Sequence, residues 1–193
     1  MATLSSPNRI VWEYFESLRR LVAESRDANT TEHRRQSAAL AVVMSVTVVE
    51  VFLNLWFRVR VEERLGAVDK TLFLRDLSHP RPASLDRKLR EWPKRYLGSE
   101  LDMKEGAGAE FMKVKALRNS IIHFSSSHST FEHDNVIIHG LADTTDYDAL
   151  SFEQAKSALF AAEDIVAEVF RLAGVEESNI PHALHSWAGR VPI

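Results

Sequence analysis

Between Ser37 and Phe57 the chain reads SAALAVVMSVTVVEVFLNLWF, and only serines, Thr47, Glu50 and Asn54 interrupt its hydrophobic residues. Strict period-two alternation is missing, so the stretch does not read as strands. Its valines and Thr47 are poor helix formers, and a helix this apolar needs neighbours on several sides. Read outward, the helix runs from about Glu32 to Leu65, with Thr30 or Thr31 as its cap and Gly66 as its stop. At 1.5 Å per residue it spans roughly 50 Å. That is long enough to cross a membrane, but Glu50 and Asn54 would then stand in the bilayer at high cost. The stretch therefore predicts a central core helix of a soluble bundle, with no membrane partner.

The neighbours follow from the same periodicity. Ser6-Pro7 caps an N-terminal helix to about Arg26, with Val11, Tyr14, Leu18 and Leu21 on its apolar face. Residues 67–83 form a short helix with Leu72, Phe73 and Leu74, then a loop through His79-Pro80-Arg81-Pro82. Ser84 caps a helix from Leu85 to Tyr96, which Pro93 must kink or shorten, and Gly98 ends it. After a polar loop from Gly98 to Gly108, another helix spans about Ala109 to Phe124, with Phe111, Val114, Leu117, Ile121 and Ile122 as its apolar face. Residues 125–150 are irregular, with one short strand candidate, Val136 to His139. Ser151, with Gln154 as its capping-box partner, opens the last helix. Its seam is Phe152, Ala155, Leu159, Ala162, Val166, Val169 and Ala173, closed by Gly174. The fold class is all-α: one helical domain over 1–174, with a core of about 32–174 and a helix at about 7–26. A loop or short hairpin is inserted before the last helix. Residues 175–193 form a tail, either draped on the core through Trp187 or disordered.

Composition bounds the chemistry. The 193 residues contain 45% hydrophobic side chains and no cysteine, which excludes disulfides and thiolate zinc sites. Met1 to Asn8 holds no apolar run, so a secretory signal is not expected and a cytoplasmic location fits. The net charge of −3 argues against a general polyanion binder, but residues 141–178 alone carry nine acids and two bases. The remainder is basic, and Arg81, Arg87, Lys88, Arg90, Lys94 and Arg95 cluster within residues 81–95. Such a patch is either a solvated helix face or a phosphate contact.

One polar group stands out on an apolar helix. Ala116-Leu117-Arg118-Asn119-Ser120-Ile121-Ile122-His123-Phe124 places an Arg, an Asn and a His within six residues. At about 100° per residue, Arg118 falls within the apolar face between Phe111 and Ile122. A buried guanidinium needs a partner, and Glu50, the only acid in the apolar stretch, is its expected counter-charge, with Asn54 four residues on along the same face. His123 stands about 140° from Arg118, so one ideal helix does not bring them together. A structural ion pair with a helix-terminal histidine, and half of a site completed by a fraying helix end or a second copy, both satisfy this pattern. His123, His128, His133 and His139, spaced five, five and six apart, lack helical ligand pairing and are not taken as a metal site. No phosphate-binding Gly-rich loop or serine elbow is present.

Arg118, Asn119 and His123 match R-N-x-x-x-H, and on these residues the chain resembles the HEPN superfamily of small helical proteins. The long helix bearing Glu50 and Asn54, the segment Ser84-Leu85, Lys88, Trp92-Pro93, Gly98 and Leu101-Asp102, and the final capped helix resemble the family's other elements. The resemblance spans roughly residues 32–174. It implies an up-and-down helical bundle, often a homodimer whose two motifs face one cleft. It also implies metal-independent cleavage of RNA without a cofactor, frequently in toxin–antitoxin or antiphage defence systems, with an antitoxin or defence protein as partner. Some members are instead non-catalytic RNA- or protein-binding modules. Members silenced by nucleotidyl transfer carry a tyrosine where this chain has Ser125. On this resemblance Arg118, His123 and Asn119 are the catalytic candidates, and Glu50 and Asn54 support them. Lys113, Lys115, Arg87, Lys88, Lys94 and Arg95 are candidate RNA contacts. Histidine suits proton transfer near neutrality, and arginine can bridge two phosphate oxygens.

Overall fold

A computed structural model describes residues 5–64, 66–78, 82–123, 131–133, 136–138 and 142–190. Its axis is α2, Thr31–Arg64, a helix of 34 residues. Thr30 starts it, accepting the His33 backbone N–H at 3.1 Å through its hydroxyl. Gly66 does not act as a left-handed stop: its φ is −74°, and it serves as the N-cap of the following helix. By length and hydropathy α2 could cross a membrane, and half of its apolar window is enclosed by the rest of the chain.

The enclosing elements are helical, as expected for an all-α bundle. Helix α1, Pro7–Asp27, packs along α2, and α7, Phe152–Leu172, lies against both. Helices α3, Ala67–Leu77, α4, Leu85–Leu97, and α5, Gly106–Ile122, close the remaining sides. On α1 the buried stripe is Val11, Phe15, Leu18 and Val22, while Tyr14 is exposed. The expected stripe is therefore rotated by one residue at two positions, because Phe15 and Val22 are as apolar as their neighbours and local spacing does not rank them. Buried residues on α7 include Ala158, Ala161, Ile165 and Phe170 beside the expected Ala155, Ala162, Val166 and Val169. A helix in contact with α1, α2, α4 and α5 is covered on more than one seam.

Helix α4 runs through Pro93 to Leu97, so the proline does not shorten it, and Gly98, at φ 74°, is its stop. Pro93 is buried, as is Trp92. Trp92 sits among Phe57, Phe73 and Tyr96, and its indole N–H donates to the buried Asp76 carboxylate at 3.1 Å.

Helix α5 begins three residues earlier than its periodicity suggested. The Asp102 carboxylate accepts the backbone N–H groups of Lys104 and Glu105, at 2.7 and 3.2 Å, and Gly106 starts the helix at φ 57°. Gly108 is buried against this turn, and a methyl group there would overlap the Asp102 main-chain carbonyl. Alanine would gain about 1 kcal/mol in helix propensity, but the obstacle is backbone and cannot rotate away. Gly108→Ala is expected to lower stability by about 1–3 kcal/mol, seen as a lower urea midpoint at unchanged slope.

Beyond α5 the described residues hold a short antiparallel hairpin, β1, Phe131–His133, and β2, Val136–Ile138, in the register Phe131↔Ile138 and His133↔Val136. A single helical turn, α6, Thr145–Asp148, follows. The expected end of the motif helix at Phe124, the expected strand end at His139, and the two histidines His128 and His139 lie outside the described residues. At the start of α7 the Ser151 hydroxyl bonds Gln154's side chain and does not cap the backbone. The tail is helical: α8, Ile180–Ala188, packs on α1 and α7, and the Trp187 ring meets Phe52 edge-on at 5.8 Å. The buried Glu163 of α7 ties it down, accepting from Arg19 at 2.7 Å and pairing with Arg190 at 3.5 Å.

Candidate functional site

A cleft of about 370 Å³ opens where α2, the start of α4 and α5 converge. Helix α2 contributes Val46 and Glu50; residues 82–86 contribute Pro82 through Asp86; α5 contributes Lys115, Arg118 and Asn119. Their presence on one surface follows from helical phase, since Lys115, Arg118 and Asn119 are three and four residues apart and share a face of α5. The start of α4 also faces the cleft. Its N-cap Ser84 accepts the Arg87 backbone N–H at 3.3 Å through its hydroxyl, and the positive end of the helix dipole lies there.

The charges are arranged in pairs, with one exception. Lys88 donates to Glu50 at 2.6 Å, and Lys115 donates to Asp86 at 3.1 Å. Arg118 has no carboxylate among the described residues. Its Nη1 donates to the Asn119 side-chain oxygen at 3.1 Å, and its Nε is buried without an acceptor. The Asp86 Oδ1 and, further along α2, the Asn54 Oδ1 are likewise buried without a donor.

This corrects the expected support of Arg118 by Glu50. Both residues line the cleft, but Glu50 is taken by Lys88, which α4 brings against α2. Thirty-eight residues separate the two, so no local spacing announces the pair. Asp86, absent from the sequence-based candidates, is also part of the site. Its only local signal is its place in the first turn of a capped helix, where acids are common for the dipole's sake.

His123 lies elsewhere. The helix ends at Ile122, and His123 is its exposed C-cap, with φ −106°, ψ 60° and its backbone N–H donated to the Asn119 carbonyl at 2.9 Å. It does not line the cleft. Ile122, expected on the apolar face, is exposed beside it. Asn119 touches both residues of the motif, through its side chain to Arg118 and through its main chain to His123.

The candidate RNA contacts are each committed to a carboxylate. Arg87 donates to Glu91 at 2.9 Å and pairs with Asp76 at 3.3 Å; the hydrogen bond to Glu91, then the Asp76 charge, hold its guanidinium above the ordinary range. Lys94 pairs with Glu100, whose hydrogen bond holds the ammonium above its ordinary value. Arg95 reaches Asp76 and Glu91, each at 3.4 Å, and Lys113 reaches Glu110 at 2.6 Å. The exposed members of this set are weak pairs that a polyanion can displace. Among the described residues the arrangement therefore offers one guanidinium without a carboxylate, in a cleft beside a helix N-terminus. Such a site is suited to an anion with several oxygens. Comparison of the chain with protein-family models, with curated proteins and with solved structures finds no match.

Proposed function

We propose that this chain is a metal-independent endoribonuclease of HEPN type, acting in the cytoplasm as a toxin or antiphage effector. The observation that carries the reading is Arg118: a partly buried cation without a counter-ion among the described residues, in a cleft whose acids are each held by a lysine. A scissile phosphate would supply the missing charge. The guanidinium fork would take two of its non-bridging oxygens and stabilise the phosphorane, and the Asn119 side-chain N–H group would donate to a third acceptor.

His123 supplies the proton transfers in this scheme. One histidine removes the 2′-OH proton as that oxygen attacks phosphorus, and another protonates the 5′-oxygen as its bond to phosphorus breaks. The products are a 2′,3′-cyclic phosphate and a 5′-OH. Since His123 lies outside the cleft of its own chain, the working site is proposed to be shared by two copies in a homodimer, with the motifs at the interface. The same displacement of His123 favours a second reading, a non-catalytic module that captures RNA or an acidic protein partner through Arg118.

RNA incubated with the protein in EDTA separates the two. On the first reading the wild type yields cyclic-phosphate ends, and His123→Ala lowers the rate by about 10²–10⁴-fold. Equal rates for the two proteins, or cleavage only with added metal, would reject it. A monomer by light scattering at micromolar concentration would remove the shared site.

A further inference from the structure

We infer that Lys88 is a positioning residue for anion capture at Arg118: by holding Glu50, it prevents Glu50 from neutralising the guanidinium. The inference rests on reading Arg118 as the phosphate-binding group.

The position of Lys88 is costly on its own terms. Its side chain is 3% exposed, and it stands in the first turns of α4, where the helix dipole disfavours a cation. Burial of an ammonium is tolerated only with a partner. The partners here are the Glu50 carboxylate at 2.6 Å and the face of Trp92, 5.6 Å from the ring centre. Glu50 is 41% exposed and could be left to water, so the strong demand in this pair comes from the lysine.

Glu50 has a second cation on its cleft. Of the cations lining the cavity, Lys115 is bound to Asp86, and among the described residues Arg118 has only the neutral Asn119 amide. Freed of Lys88, Glu50 would find a guanidinium with a buried, unpartnered Nε. A carboxylate–guanidinium pair formed there would occupy the donors that a phosphate needs. One acid thus stands between two cations, and the identity of the cation that holds it decides whether the cleft is open to an anion.

The probe is a fluorescent 2′-O-methyl oligoribonucleotide, which has no 2′-OH to attack, with binding followed by anisotropy. Lys88→Met is expected to weaken binding on the order of tenfold. Adding Glu50→Gln should bring K88M back to within about twofold of wild type. Adding Glu24→Gln, an exposed acid of α1 outside the cleft that restores the same net charge, should not. Circular dichroism checks folding, and K88M/E50Q removes both members of the pair, so no lone buried charge remains. Arg118→Ala separates the two failures. If R118A binds as tightly as wild type, Arg118 is not the anion-binding group and both readings fall. If R118A weakens binding but K88M does not, or if E24Q rescues K88M as well as E50Q does, the role of Lys88 is overturned and that of Arg118 stands.

Discussion

Trp92→Ala should cost this protein about 3–5 kcal/mol of stability, the range for emptying a buried tryptophan site. The side chain is fully buried and meets Phe57, Phe73 and Tyr96 at ring-centre distances of 5.6, 5.0 and 6.4 Å. These rings come from α2, α3 and α4, so one truncation loosens three helices at once. Asp76 would lose the indole donor but keep Arg87 and Arg95, which limits the added penalty for that buried carboxylate. Trp92→Phe keeps most of the volume and loses the N–H, for an expected cost of about 1–2 kcal/mol. Denaturant titration of the two variants measures both terms. A loss below about 1 kcal/mol for the alanine variant would mean that this aromatic cluster does not join the helices.

Arg118→Ala is expected to behave in the opposite way. Its guanidinium makes one hydrogen bond to a neutral amide and buries an Nε without an acceptor. Losing one hydrogen bond to a neutral amide costs about 0.5–1.5 kcal/mol, and removing the unpartnered Nε offsets part of it. RNA cleavage, by contrast, should fall about 10²–10³-fold, as when one preorganised donor to a developing oxyanion is removed. Arg118→Lys keeps the charge and loses the planar fork, so it should recover little of the rate. Single-turnover cleavage and urea unfolding on the same preparations give the pair of numbers. A variant destabilised by more than about 2 kcal/mol with its cleavage intact would make Arg118 a structural residue and end the proposal.

These two residues also differ in how visible they were before folding was considered. The local composition around Arg118-Asn119 was informative. An arginine on the apolar phase of a helix cannot be idle, and the structure places it on the wall of a cleft with Asn119 beside it. Trp92 was visible only as part of the stretch around Pro93. Its burial among rings from three helices is a tertiary fact. Glu50 shows the limit most clearly. An acid within an apolar helix meets either a cation or water; Arg118 and Lys88 were both available, and contact geometry selected Lys88. The same holds for Arg87, Lys88, Lys94 and Arg95: their clustering was plain, while their pairing with Asp76, Glu91, Glu100 and Glu50 was not.

What the chain determined by itself is the set of helices and the polar residues that cannot be indifferent to burial. Hydrophobic period and caps act over one or two turns, so they can be read from contiguous residues: the core helix at 37–57, the Ser84 cap and the Gly98 stop all stand where they were expected. Tertiary structure decided which of several equivalent apolar residues turn inward, as with Phe15 over Tyr14, and which acid meets which cation. It also decided that Arg118 faces a cleft while His123 does not. Those outcomes depend on the relative placement of helices far apart in sequence, where a rotation of a few tens of degrees exchanges one partner for another. Helical period holds only within one helix and says nothing about that rotation.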